Sequence, residues 1–428
     1  MKSTQFLIIL GLTVVAGCKK DPIETPTGSD QPNILLIIAD DLGKDAINGF
    51  TEGSVKPNTP NIDAIRTNGL SFSNFWVYPT CSPTRASIIT GKYGYRTGVK
   101  WAGDELAESE IALQQYIRDR TNNSYASAVV GKWHLSGNDA TANPEAFGID
   151  YYAGLIRGAV NDYYMWQFTE DGATNLQTTY ATEFFTDLSI AWINQQTKPW
   201  FLWLAYNAPH VPFHAPPTEM HSQGNLPTYV EGMDSMPYYM AAIEAMDHQV
   251  GRLLANIPTE ERANTLIIFI GDNGTPNQVA QSPYASNTVK GSLFQGGINV
   301  PMFISGAGVS RSGTDDNLIT STDLYSTIAQ LAGSSANGIH DSRSFKSLLS
   351  NSTNIRSFQY SEMNDGTTDA WTISNGRYKL FMDADGNQSM FDLTNDPYEQ
   401  SDLFIMGLTP EEGNALNALE AELSNIRN

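Results

Sequence analysis

Two pairs of short oxygen-bearing side chains stand at equivalent places in the chain. Asp40 and Asp41 close the apolar run Asn33 to Ala39 (NILLIIA). Asp272 and Asn273 follow the apolar run Thr265 to Ile270, within Gly271-Asp272-Asn273-Gly274. Runs of this kind read as strands buried on both faces, and open α/β sheets place their sites at the carboxyl ends of such strands. One such pair alone would read as a helix cap or a turn. Two pairs, taken with the cysteine segment below, point to a hard cation held by oxygen, as calcium prefers. Lys132 and His134 follow a third apolar run, His210 follows a fourth, and Lys290 sits in Val289-Lys290-Gly291-Ser292. Taken singly, a lysine or histidine in a loop is a solvated residue, and a lone cysteine such as Cys81 is a buried structural thiol.

The segment Pro79-Thr80-Cys81-Ser82-Pro83-Thr84-Arg85-Ala86-Ser87-Ile88-Ile89-Thr90-Gly91 changes that reading. It resembles the type I sulfatases of the alkaline-phosphatase-like superfamily, whose Cys-x-Pro-x-Arg signature runs on to Thr-Gly. The resemblance implies that a formylglycine-generating enzyme oxidises Cys81 to formylglycine. A sulfate ester is an anion, so attack on sulfur needs a nucleophile brought close and relief of negative charge. The hydrated aldehyde offers one hydroxyl to attack sulfur and a second whose deprotonation releases sulfate. The resemblance further implies that Asp40, Asp41, Asp272 and Asn273, with the formylglycine oxygen from Cys81, hold one divalent cation, Ca2+.

The cationic positions carry over one at a time. Arg85 would hold and polarise the hydrate, and Lys132 would bridge nucleophile and sulfate oxygens. His134 would take the hydroxyl proton during release. His210, in Asn207-Ala208-Pro209-His210-Val211-Pro212, would face the ester oxygen. Lys290, followed by Gly296-Gly297-Ile298-Asn299-Val300-Pro301, would neutralise sulfate and help the leaving group. The likeness extends to Phe391-Asp392-Leu393-Thr394-Asn395-Asp396-Pro397 and Glu399. It departs at Gln295-Gly296-Gly297, where the family often has Glu-Gly-Gly, and at Ser124-Tyr125, where it often has Gly-Tyr. His214 and His221 fall in a surface loop, His248 in a helical pattern beside Asp247, and His340 near the domain joint.

The elements that must position these groups follow from hydrophobic periodicity. Apolar runs at 33–39, 127–130, 200–206, 265–270 and 300–304 read as strands. Helical spacing covers 108–120, with Ile111, Leu113, Tyr116 and Ile117 on one side, and also 182–195 and 238–254. The alternation predicts an α/β domain, 32–349, with a large mainly parallel, mixed sheet flanked by helices. After the polar joint Ser350–Asn354, short strands near 358–361, 370–374, 378–382 and 388–392 predict a small antiparallel sheet. Leu416, Leu419, Leu423 and Ile426 predict a closing helix. This second unit spans 350–428.

Residues 1–17 read as a secretory signal, too short in its apolar run to span a bilayer. Val15-Ala16-Gly17-Cys18 resembles a bacterial lipobox, so Cys18 is the expected lipidation site and 18–31 a flexible tether. The expected location is extracytoplasmic and membrane-anchored, on the periplasmic side or the cell surface. Lys and Arg total 25 against 46 Asp and Glu, a net charge of −21. That argues against a nucleic-acid partner, and it favours a short sulfated saccharide over a long polyanion. Two rivals share these features: a phosphonate monoester or phosphodiester hydrolase on the same fold, and a non-catalytic surface glycan-binding lipoprotein. A dinuclear zinc phosphatase needs several histidine ligands, and the chain has six histidines in all.

Overall fold

The computed structural model describes residues 31–427 apart from Asn138, Ala140 and Ala384; Cys18 and the expected 1–17 leader lie outside the described residues. A ten-stranded mixed sheet forms the centre. From edge to edge its strands are Gly313–Asp315, Leu70–Phe72, Met302–Gly306, Thr265–Gly271, Asn33–Ala39, Trp200–Ala205, Ala126–Lys132, Tyr152–Leu155, Trp166–Glu170 and Ala173–Gln177. The middle block, from Thr265–Gly271 to Tyr152–Leu155, is parallel throughout. Met302–Gly306 runs antiparallel beside Thr265–Gly271, and an antiparallel hairpin closes the far edge.

The apolar runs are continuous because both faces of the middle block are covered. In the first strand Ile34, Leu36 and Ile38 enter one core, and Leu35, Ile37 and Ala39 the other. This is the two-residue alternation of a strand with no wet face. The helices Cys81–Thr90, Leu113–Arg120 and Asp323–Leu331 supply the first core. Pro60–Thr67, Ala181–Ile193 and Met236–Asn256 supply the second.

Three expectations shift. The helix expected over 108–120 begins at Leu113, because Ala112 is extended (φ −66°, ψ 153°) and Glu110 closes a turn onto Ala107. Ile111 is therefore outside the helix and 48% exposed. The strand expected at 300–304 spans Met302–Gly306, since Pro301 has no N–H to give a ladder. The hairpin Trp166–Glu170/Ala173–Gln177 gave no periodic signal. Its second strand is exposed along most of its length, so no buried face imposes alternation on the sequence.

The four-stranded antiparallel sheet Gln359–Asn364, Asp369–Ser374, Tyr378–Met382, Gln388–Asp392 carries the helix Pro410–Arg427 on one face, through Leu419 and Leu423. Buried polar contacts join it to the larger sheet's surroundings. Arg356 makes a two-pronged pair with Asp323, at 2.7 and 2.5 Å. Lys379, wholly buried, pairs with Glu399 and donates to the Leu293 carbonyl at 2.5 Å. Glu399 in turn accepts the Gln295 N–H at 2.6 Å. Removing one member of such a pair strands the other charge in the interior, which costs about 3–5 kcal/mol. Lys379→Met is expected to lower the free energy of unfolding by that amount, and Lys379→Met/Glu399→Gln by less. A loss below about 1 kcal/mol for the single variant would mean that this pair does not secure the joint.

Candidate active site

The strands Thr265–Gly271, Asn33–Ala39, Trp200–Ala205 and Ala126–Lys132 are consecutive neighbours and all parallel. Their carboxyl ends therefore open at one place. Ala39 stands opposite Gly271, so Asp40 and Asp272 leave the sheet side by side. The Asp272 N–H bonds the Ala39 carbonyl, and the Asp40 N–H bonds that of Ala208, both at 3.1 Å. Lys132 ends its own strand, and His210 lies five residues beyond the end of Trp200–Ala205. Gly131 allows this crowding. It has φ +100°, and a Cβ there would sit 2.0 Å from the Ala205 carbonyl oxygen.

Cys81 is the first residue of the helix Cys81–Thr90, all of whose residues are buried. Thr80 is extended ahead of it, Pro83 lies in the first turn where its missing N–H costs nothing, and Gly91 closes the end in the left-handed region. The hydroxyls of Ser87 and Thr90 bond backwards within the helix, to Thr84 and Ala86, so a polar helix can be buried all round. The four-residue spacing puts Arg85 one turn behind Cys81, on the same side. Arg85 donates two bonds to Asp272 Oδ2, at 3.1 and 2.8 Å, and a third to the Lys132 carbonyl at 2.8 Å.

The remaining charges interlock. Lys132 Nζ is 2.6 Å from Asp40 Oδ2, and Lys290 Nζ is 2.5 Å from Asp41 Oδ2. His210 Nε2 lies 3.6 Å from the same Asp41 oxygen, and its Nδ1 donates to the Val211 carbonyl at 2.7 Å. His134 Nδ1 lies 3.1 Å from Cys81 Sγ. Asn273 turns its amide nitrogen to Asp41 Oδ1 at 2.7 Å. All ten of these sequence-derived positions thus fall in one cluster. Asp41 and His134 both have positive φ, 67° and 58°, a conformation that non-glycine residues keep only where surrounding contacts impose it.

Burial raises the Asp41 carboxyl, but Lys290, His210 and Lys132 outweigh it and hold the group below the usual carboxylate range. Burial, aided by Asp40, pushes Asp272 up to about 7 against the pull of Arg85 and Lys132. Burial lowers Lys132, but Asp40 and Cys81 reverse this and keep it charged. Burial, reinforced by Lys132 and Arg85, drives His134 well below its ordinary value, so the ring is neutral at pH 7. Burial likewise lifts the Cys81 thiol, opposed by Lys132.

Two oxygens in this cluster, Asp40 Oδ1 and Asn273 Oδ1, are buried without a hydrogen-bond partner. Ligand atoms of Asp40, Cys81 and Asp272 lie within 4.8 Å of one another, as do those of Asp40, Asp41 and His210. Bare, buried, converging oxygens beside a carboxylate kept near neutrality fit a divalent cation, whose charge would satisfy both.

Several positioning groups carry no sequence signal of their own. Tyr239 donates to the Asp41 carbonyl at 2.7 Å. The Tyr163 hydroxyl lies 2.8 Å from the carbonyls of both Asn207 and His210. Gly158 lies against the His134 ring. These act through backbone atoms, which residue type does not advertise. His214 stacks on Tyr163 at 3.8 Å, while His248 is exposed on its helix.

The chain is similar to several known sulfatases. Mouse arylsulfatase J is 26% identical over 328 residues, covering 71% of this chain and 53% of the mouse protein. N-acetylgalactosamine-6-sulfatase of Sus scrofa is 29% identical over 348 residues, covering 72% and 63%. The chain thus spans about half to two thirds of the length of these relatives. The crystal structure of Ps i-CgsB in complex with k-i-k-neocarrahexaose superposes with a TM-score of 0.77 at 25% identity, covering 92% of each chain. The sulfatase family model matches residues 32–334, most of the chain and every charged group of the cluster, and the chain belongs to the sulfatase family.

Proposed function

We propose that the protein hydrolyses sulfate esters, releasing inorganic sulfate from a sulfated saccharide. The observation that carries this reading is the convergence of Cys81, Arg85, Lys132, His134, His210 and Lys290 on the buried acidic cluster. Family membership supports the reaction. The porcine relative's name and the neocarrahexaose complex of Ps i-CgsB support a saccharide as substrate.

Each side chain has a physical task. Lys132 and Lys290 are cations fixed by aspartates on two sides of the cleft, so they offset sulfate charge without reorganising. Arg85, locked to Asp272, presents a planar donor edge beneath residue 81. Formylglycine formed from Cys81 would supply, as its hydrate, an oxygen nucleophile and a second hydroxyl for sulfate release. His134, neutral and within reach of residue 81, is placed to accept that hydroxyl's proton. His210 keeps its Nδ1 proton on the Val211 carbonyl, which fixes the orientation of the ring beside the ester oxygen, and Lys290, held charged by Asp41, is the cation placed to offset charge on the departing oxygen. A divalent cation would be held by Asp40, Asp41, Asp272 and Asn273 with an oxygen of residue 81, and would supply positive charge against the ester anion. The lipobox-like Cys18 and polar tether support a membrane-anchored, extracytoplasmic protein.

Three outcomes are expected. Protein co-expressed with a formylglycine-generating enzyme turns over p-nitrophenyl sulfate faster than a p-nitrophenyl phosphonate monoester, and Cys81→Ala lowers sulfate turnover by about 10³-fold or more. Faster phosphonate turnover would transfer the activity to that ester class, and an unaffected Cys81→Ala would remove the nucleophile. Calcium at about 100 times its dissociation constant raises thermal stability by about 2.7 kcal/mol. Asp40→Asn should lose most of that gain; an equal gain in the variant would place the ion elsewhere. Cys18→Ala should move the protein from the membrane fraction to the soluble fraction of the producing cell. Retention in the membrane would discard the lipid anchor.

A further inference from the structure

A cavity of about 430 Å³ is lined by none of the clustered residues and takes no part in the chemistry described above. Its size falls within the roughly 300–1,000 Å³ of small-molecule sites. Ile156, Arg157, Asn161, Met165, Trp166 and Gln167 are among its lining residues. Two connections fix it to the catalytic groups. On one side, the carbonyls of Leu155 and Ile156 accept the N–H groups of Trp133 and His134, at 2.9 and 3.1 Å. Gly158 then crosses the His134 ring so closely that a Cβ would lie 2.3 Å from Cε1 and Nε2. On the other side, Tyr163 ties the 161–166 wall to the carbonyls of Asn207 and His210. The cavity therefore sits between the supports of His134 and His210, at the carboxyl end of the parallel block.

Its chemistry suits a sugar. Asn161 and Gln167 offer amide donors and acceptors. Met165, 56% exposed, offers an apolar face for ring C–H groups. Arg157 is exposed and has no hydrogen bond or ion pair among the described residues. Its planar fork fits a sulfate or carboxylate with two parallel bonds.

We propose that this cavity binds the sugar adjoining the one that bears the scissile sulfate, and that Arg157 pairs with a second anionic group on that sugar. The inference rests on the sulfatase reading and deepens it, making the substrate an oligosaccharide with at least two anionic groups.

The test uses the converted full-length chain turning over p-nitrophenyl sulfate. Competitors are sulfated galactose and N-acetylgalactosamine, and their disaccharides carrying either a second sulfate or a uronate carboxylate. At least one doubly anionic disaccharide should compete about tenfold more tightly than its sulfated monosaccharide. Arg157→Ala should erase that gain and Arg157→Lys keep part of it. Turnover of p-nitrophenyl sulfate should stay within about twofold of wild type. The two disaccharide series identify which oxyanion Arg157 takes. The proposal is overturned if no disaccharide surpasses its monosaccharide, if Arg157→Ala leaves the gain intact, or if the variant loses aryl sulfate turnover equally. Absence of p-nitrophenyl sulfate turnover by the wild type would overturn the sulfatase reading beneath it.

Discussion

Buried charge organises this molecule. Asp40, Asp41, Asp272, Arg85 and Lys132 all lie out of solvent at one end of the sheet. Each would be prohibitively costly alone, because the interior does not screen or solvate it. Together they form alternating pairs, Arg85 with Asp272, Lys132 with Asp40, Lys290 with Asp41. The balance is incomplete: two oxygens stay bare and one carboxyl stays near neutrality. Bare oxygens held among charges already fixed in place are preorganised for a cation and, beside it, for an anion whose charge shifts during reaction.

The fold exists in the form that this cluster requires. Four parallel neighbours bring their carboxyl ends together, which no antiparallel arrangement would do. Core helices on both faces exclude water from beneath the cluster, so its pairs act at low dielectric. The ten buried residues of Cys81–Thr90 present residue 81 at the helix N-terminus, where the aligned peptide dipoles favour negative charge. The smaller sheet is joined through Glu399, which grips the backbone of Gln295 rather than any catalytic side chain.

Strand-end acidic pairs and the cysteine segment were legible in the sequence because each rests on residue identity. Apolar runs placed Asp40, Asp41, Asp272 and Asn273 at strand ends, and the resemblance carried by the cysteine segment brought the two pairs to one site. What escaped detection works through shape or backbone. Tyr239 and Tyr163 hold the site by bonding carbonyl groups, Gly158 by lacking a side chain, and the Trp166–Gln177 hairpin by forming an exposed edge. The helix over Leu113–Arg120 was placed too long because Ile111 has the right spacing but lies in a turn before the helix begins. Periodicity reports which residues could share a face, and local backbone geometry decides where that face starts.

The central claim is that residue 81, once oxidised, is the nucleophile. It is tested most directly by measuring, in the same samples, the fraction of residue-81 peptide converted to formylglycine by mass and the initial rate of sulfate release. Preparations spanning a range of conversion should give rates proportional to that fraction, passing through zero at no conversion. Full activity in a sample whose residue 81 is entirely cysteine would contradict the account.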